Sequence, residues 1–166
     1  MHIKTKSSFL FQNTLPVSII RVQFLTIFTY NRQTTMGAIH RTKNGNIWTP
    51  SKWGHAATTA MEELQRFNKA ILIEEYAIMP NHIHMLILYK SYKPKMTNWF
   101  VSYCKQYLSH KMLETYKTSD PIWEKSFEAQ YIRSEYTQYI LSQNLREHQA
   151  HWQYDPLYRP NQKNRF

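Results

Sequence analysis

Two histidines one residue apart, His82 and His84, interrupt the apolar run YAIMPNHIHMLILY at residues 76–89. In an extended strand, residues two apart project from one face, so the two imidazoles lie side by side while Ile83 and Met85 point the other way. Two imidazoles on one face are able to hold one divalent cation. A metal used for chemistry needs at least one more protein ligand and an open position for a substrate oxygen, so a third ligand must come from elsewhere in the chain. The plain alternative is a pair of hydrogen-bonded histidines with no metal. Leu86 and Leu88 continue the histidine face and predict that it is buried, where an unpaired polar ring costs free energy. Some partner is required on either reading.

The surrounding chain reads as alternating strands and helices. Residues 19–30 are dense in β-branched and aromatic types, and Val22, Phe24, Thr26 and Phe28 alternate with Gln23, Leu25 and Ile27, which predicts a central strand covered on both faces. A second strand over 36–42 meets an Asn-Gly turn signal at Asn44-Gly45, and Ile47-Trp48 returns. Arg32, His40, Arg41 and Lys43 cluster here, as a phosphate-contacting hairpin or as a solvated charged turn. Residues 53–69 carry Ala57, Ala60, Met61 and Leu64 at helical spacing after the start signals Pro50 and Ser51. Residues 70–79 form the strand leading to the histidines, and Pro80 marks a missing ladder hydrogen bond. Residues 96–116 read as a second long helix, with Phe100, Cys104, Leu108 and Met112 on one side and Lys105 and Lys111 toward the other. A short strand over 128–133 precedes a final helix over 135–150, whose face is formed by Tyr136, Ile140, Leu141, Leu145 and His148.

With 166 residues the chain suits one domain. Twenty-one basic against 11 acidic residues leave a formal charge of +10, and 15% of residues are aromatic. That combination suits a polyanion with exposed bases, because cations attract phosphates and flat rings stack on unpaired bases. Cys104 is the only cysteine, which excludes an internal disulfide and a thiolate metal cluster, and a cytoplasmic address follows most simply. Residues 1–18 read as a flexible leader rather than a signal peptide, since Gln12, Asn13, Thr14 and Pro16 break the apolar stretch. Residues 19–153 form the domain, and 154–166 an irregular basic tail. No run reaches transmembrane length, so no membrane partner is expected.

The segment MPNHIHMLI resembles the histidine-hydrophobe-histidine signature of single-tyrosine transposases, in particular the REP-associated tyrosine transposases and their insertion-sequence relatives. The agreement extends to VQFLTIFTYNRQ near the start, PIWEKSF with Trp123, Tyr131-Ile132-Arg133, and the late Trp152 and Asp155, in that order. It spans about residues 19–158. The resemblance implies an α+β, ferredoxin-like fold: an antiparallel sheet of four to five strands with helices packed on one face.

It also implies a chemistry. Enzymes of this kind cut single-stranded DNA by attack of a tyrosine oxygen on a backbone phosphate, forming a 5′-phosphotyrosine and freeing a 3′-hydroxyl, with Mg2+ or Mn2+ as cofactor. The partners implied are single-stranded or hairpin DNA, with a homodimer as the assembly, and Arg32, Arg41, Lys43, Lys105 and Lys111 are the nucleic-acid contacts expected. The family sets its tyrosine and its third metal ligand four residues apart on the last helix. Without gaps the pair falls on Asn144 and His148, which keeps a ligand and loses the nucleophile. A shifted register gives Tyr139 as nucleophile and Gln143 as ligand. Tyr139 is also readable as a ring packed at the sheet edge. Three functions remain open on these residues: a metal-dependent DNA transposase, a non-catalytic DNA-binding relative, and a protein in which His82, His84 and His148 close a structural metal site.

Overall fold

The computed structural model describes residues 20–67 and 69–160, so the expected leader and residues 161–166 of the tail lie outside the described residues. Strand β1 (Arg21–Thr29) is central, flanked by β5 (His82–Tyr89) and β6 (Trp123–Ile132), with β4 (Ile71–Met79) beyond β5. All three pairings are antiparallel. Helix α1 (Lys52–Phe67) connects β1 to β4, and α2 (Met96–Thr115) connects β5 to β6. Each neighbouring pair in the order β4-β5-β1-β6 follows from these two crossovers and one tight turn, which is the ferredoxin-like arrangement. Between β1 and α1 a separate two-stranded ribbon is inserted, β2 (Gly37–Thr42) and β3 (Gly45–Pro50).

Period-2 alternation divides the sheet into two cores. Leu25, Ile27, Ile83, Met85 and Ile87 face α1 and α2, meeting Ala57, Ala60 and Met61 of one and Phe100, Cys104, Leu108 and Met112 of the other. Each fully buried aliphatic chain contributes about 1.5–3 kcal/mol, so this larger face carries most of the stability. The opposite face holds Thr26, His82, His84, Leu86, Ala77 and Met79. It is covered over β4 and β5 by α3 (Glu135–Arg146) and a following 3-10 helix (His148–Tyr154), through Leu145 and Trp152. The two long helices thus share one face, and the last helix lies on the other, above the histidines.

Two elements differ from the sequence expectation. Strand β6 is ten residues long rather than a short strand from 128. Its polar start, Glu124-Lys125-Ser126, reads as a lead-in, but the Lys105 ammonium donates to all three of those carbonyls, at 2.6, 3.3 and 3.0 Å, and holds them extended against α2. The final helix ends at Arg146 instead of continuing to 150, and the chain tightens into the 3-10 helix after Glu147. Its buried face is Ser142 and Leu145, while Tyr136 is 74% exposed and Ile140 is also exposed. Asp155, which follows the 3-10 helix, is only 7% exposed.

Candidate metal centre

The turn Pro80-Asn81 sets His82 as the first residue of β5, opposite Phe28 of β1 and Met79 of β4, and His84 opposite Thr26 and Ala77. His82 is fully buried and His84 nearly so. Both rings turn their Nε2 atoms to one point, 3.0 Å apart. The break after α3 brings His148 over the same point, and Asp155 follows one short 3-10 helix later. Asp155 Oδ2 lies 2.7 Å from His148 Nε2, 3.4 Å from His82 Nε2 and 3.8 Å from His84 Nε2. All four donor atoms fall within 4.8 Å of one another. Metal-ligand bonds of about 2.0–2.2 Å require neighbouring donors to lie roughly 3–3.5 Å apart in a tetrahedral shell, so the group can hold a metal once its closest pair opens and its widest pairs close slightly.

The tautomers suit that purpose. Asn81 Nδ2 donates to the carbonyls of Leu157, at 2.9 Å, and Arg32, at 3.4 Å, so Asn81 Oδ1 is the atom facing His82 Nδ1 at 2.8 Å. It must accept, which fixes the proton on Nδ1 and leaves the Nε2 lone pair directed at the cluster. His84 Nδ1 sits 2.8 Å from Thr26 Oγ1, and when it donates to that hydroxyl its Nε2 lone pair also faces the cluster. Two Nε2 lone pairs at 3.0 Å repel unless a proton or a cation lies between them, and a divalent ion satisfies both along with the carboxylate. Truncating Asn81→Ala is therefore expected to lower Mn2+ affinity by roughly 10–100-fold, as loss of an outer-shell partner does. Nitrogen-15 NMR of His82 should show the loss of its single Nδ1-H tautomer, and an unchanged tautomer would remove Asn81 from this role.

Burial dominates the titration of the histidines. It lowers His82 to about 4 and His84 in the same direction, against the opposing pull of Asp155. The Asp155 carboxyl is held far below the usual carboxylate range by His148, His82 and His84, which outweigh the desolvation that would raise it. A histidine depressed in the folded state takes up its proton more readily when unfolded, so the unfolded chain binds more protons below about pH 6.5. The metal-free protein should lose thermal stability as pH falls from 6.5 toward 4, a loss reduced in His82→Gln. Melting curves recorded in chelator across that range check the sign.

The expected site residues fall in different places. His82, His84 and His148 converge, joined by Asp155, which the sequence reading did not single out as a ligand. Gln143 is half-buried on α3. Tyr139 is 61% exposed, on the flank of α3 shared with Arg146, which pairs with Glu75 of edge strand β4 at 2.6 Å. Asn144, one residue on from Gln143, is exposed. Among the basic residues, Arg32 packs its guanidinium 3.4 Å from the centre of the Phe28 ring, beside the Asn81 turn, while Arg41 and Lys43 are exposed on the ribbon. Lys105 donates to the β6 carbonyls and Lys111 pairs with Glu63 of α1 at 3.0 Å, both on the helical face away from the histidines. Asn81 and Thr26 were also missed. The only sequence trace of Asn81 is its position between Pro80 and the first histidine.

The fold and site together define an α+β protein with a ferredoxin-like sheet and a His-x-His centre closed by a late helix and the segment after it. The family described as "Transposase IS200 like" matches residues 31–147, and the chain belongs to that family. His148 and Asp155 lie just past the matched range. Among solved structures, a candidate transposase from Deinococcus radiodurans R1 is similar at a TM-score of 0.54 and 14% identity, covering 82% of this chain and 97% of its own. A REP-associated tyrosine transposase bound to a REP hairpin is similar at a TM-score of 0.49 and 11% identity, with 93% and 94% covered. No curated protein sequence matches. No helix among the described residues is long and apolar enough to cross a membrane.

Proposed function

We propose that this chain is a divalent-metal-dependent nuclease and strand transferase acting on single-stranded DNA, with Tyr139 as the nucleophile. The observation that carries the proposal is the convergence of four donors, three imidazoles and one carboxylate, beneath a helix that holds an exposed tyrosine. When bound, the metal would polarise a phosphate oxygen. His82, His84, His148 and Asp155 would hold it. Three imidazoles make the set softer than Mg2+ prefers, and Mn2+ tolerates the mixture of nitrogen and oxygen while taking more ligands than four, which keeps a position open. Arg32, fixed against Phe28 beside the turn, is positioned for a neighbouring phosphate.

In the chemical step the Tyr139 oxygen forms a bond to phosphorus and loses its proton. The bond from phosphorus to the 3′-oxygen breaks, and that oxygen leaves as a hydroxyl after taking up a proton. Rejoining reverses the exchange and needs no external energy source. Tyr139 must first be brought to the phosphate, and α3 is lightly held. Only Ser142 and Leu145 are buried, and the Arg146 to Glu75 pair is an exposed ion pair of the kind that contributes little. Re-seating of α3, within one chain or between two copies, would deliver it.

Tyr139 stands one turn from Gln143 on α3, within residues 31–147 that the family matches. A second reading has its own support. His148 joins the cluster, and four residues before it stands Asn144, whose amide cannot form a phosphotyrosine. On that reading the chain binds DNA and metal without cutting. Incubation of the protein with labelled stem-loop single strands and Mn2+ separates the two: a covalent adduct lost in Tyr139→Phe supports cutting, and salt-sensitive binding with no adduct supports the scaffold alone.

A further inference from the structure

Phe28 pairs with His82 across β1 and β5, so the two side chains leave the sheet on the same side, and the Arg32 guanidinium lies over the Phe28 ring. Arg32 is half-buried, and among the described residues no carboxylate comes within ion-pair reach of it. Its planar fork of N-H donors is left for an anion from outside the chain.

The backbone reaches this arrangement at a cost. Asn31 and Arg32 are both left-handed, with φ of 53° and 54°. Asparagine tolerates that region through its short polar side chain, whereas the arginine Cβ crowds the following carbonyl. Such a residue stays left-handed only where its surroundings hold it there. What holds it comes from the start of β6. Glu124 Oε1 accepts from the Asn31 N-H at 2.8 Å, and the Ile122 carbonyl accepts from the Tyr30 N-H at 2.9 Å. The first of these is a charge-assisted bond, the stronger kind. Glu124 is steadied in turn by the Lys105 ammonium of α2, which donates to its carbonyl at 2.6 Å. On the far side of the turn, the Arg32 carbonyl accepts from Asn81 Nδ2 at 3.4 Å, next to His82. A carboxylate so near a cation that serves phosphate repels the phosphate, so charge alone gives no reason for an acid at this position.

We infer that Glu124 is a positioning residue for phosphate binding: its carboxylate holds the left-handed turn at Asn31 and Arg32 and so sets the Arg32 guanidinium on Phe28, beside the Asn81-His82 turn. This rests on the DNA-processing role proposed for the histidine cluster and adds to it a residue that touches neither the metal nor the DNA. Glu124 works through the backbone bond, against the sign of its own charge.

Fluorescence anisotropy of the full chain with Mn2+ and a labelled single strand, over a salt series, gives the first test. Removing an ordinary surface acid from a chain of formal charge +10 should tighten its hold on a polyanion. Glu124→Ala should instead weaken it, by most of the roughly tenfold that Arg32→Ala costs, the size of one charge-assisted contact. Glu124→Gln keeps an acceptor and loses the charge, so it should bind at least as well as the parent chain. Arg32→Ala should lower the salt slope by about 1, and adding Glu124→Ala to it should cost nothing further, because the carboxylate acts only through the guanidinium.

The second test needs no DNA. In proton NMR of the metal-free chain, the Arg32 side-chain resonances should carry the upfield ring-current shift of a group held over Phe28. That shift should be lost in Glu124→Ala and kept in Glu124→Gln. A shift retained in Glu124→Ala, tighter binding by that variant, or additive losses in the double variant would each overturn the inference while the proposed function stands. A parent chain that binds no single strand overturns the proposed function, and the phosphate role of Arg32 and Glu124 falls with it.

Discussion

Tyr139→Phe is expected to abolish the covalent protein-DNA adduct, lowering its rate on the order of 10⁴–10⁶-fold, as removal of a nucleophile does. The phenyl ring keeps the size and packing of the tyrosine, so α3 should stay folded and stem-loop binding should survive. Tyr136→Phe serves as the control. It lies on the same helix, is more exposed than Tyr139, and has no ligand candidate four residues later within reach of the family pattern. Adduct formation should be unaffected there. An adduct of equal yield in Tyr139→Phe would reject this tyrosine, and mapping the modified peptide would identify the residue that acts instead. Complete absence of adduct from the parent chain across several stem-loops would leave the non-cutting reading, with Asn144 in the nucleophile position, as the better account.

Asp155→Asn should produce the second large effect. One carboxylate oxygen accepts from the Leu157 N-H at 2.6 Å and the other faces the three histidines. The amide preserves shape and the first hydrogen bond, provided its oxygen takes the Leu157 side. Its NH2 group then donates into the imidazole cluster and occupies a lone pair that the metal needs. Mn2+ affinity should fall by more than the roughly 10–100-fold that loss of an outer-shell partner costs, and the melting temperature of the metal-free chain should also fall, because the ionised carboxylate is stabilised by the histidines only in the folded state. The uncharged residue also no longer favours protonated histidines, so the acid sensitivity of the metal-free chain should increase. Calorimetric titration and melting curves on the same preparation separate the two effects. Equal metal affinity in the variant would show Asp155 to be a structural hydrogen-bond partner of His148 and nothing more.

The sheet was legible because period-2 alternation shows in β1 and β5, where one face is mostly apolar despite Gln23 and Thr29 and the other is interrupted by Thr26, His82 and His84. The pairing of His82 with His84 required only that alternation. The end of α3 was not legible. Leu141, Leu145 and His148 continue a helical stripe across the break, and what ends the helix is tertiary: His148 is drawn to Asp155, and Gln149 donates to the Ile78 carbonyl of β4 at 2.9 Å. Asp155 was hidden for a related reason. It lies in a proline-containing tail with no periodicity, and its value comes from a fold that brings it back over β5. The partners of Lys105 and Lys111 were equally hidden, since the carbonyls of β6 and Glu63 of α1 come from elements distant in the sequence.

The most direct measurement of the central claim is a calorimetric titration of the full chain with Mn2+, in parallel with His84→Ala. One ion per chain should bind the parent protein and raise its melting temperature by mass action, and the variant should lose both the heat and the stabilisation. Binding of equal strength in the two proteins, or none in the parent, would contradict the convergence of these four side chains on a single cation.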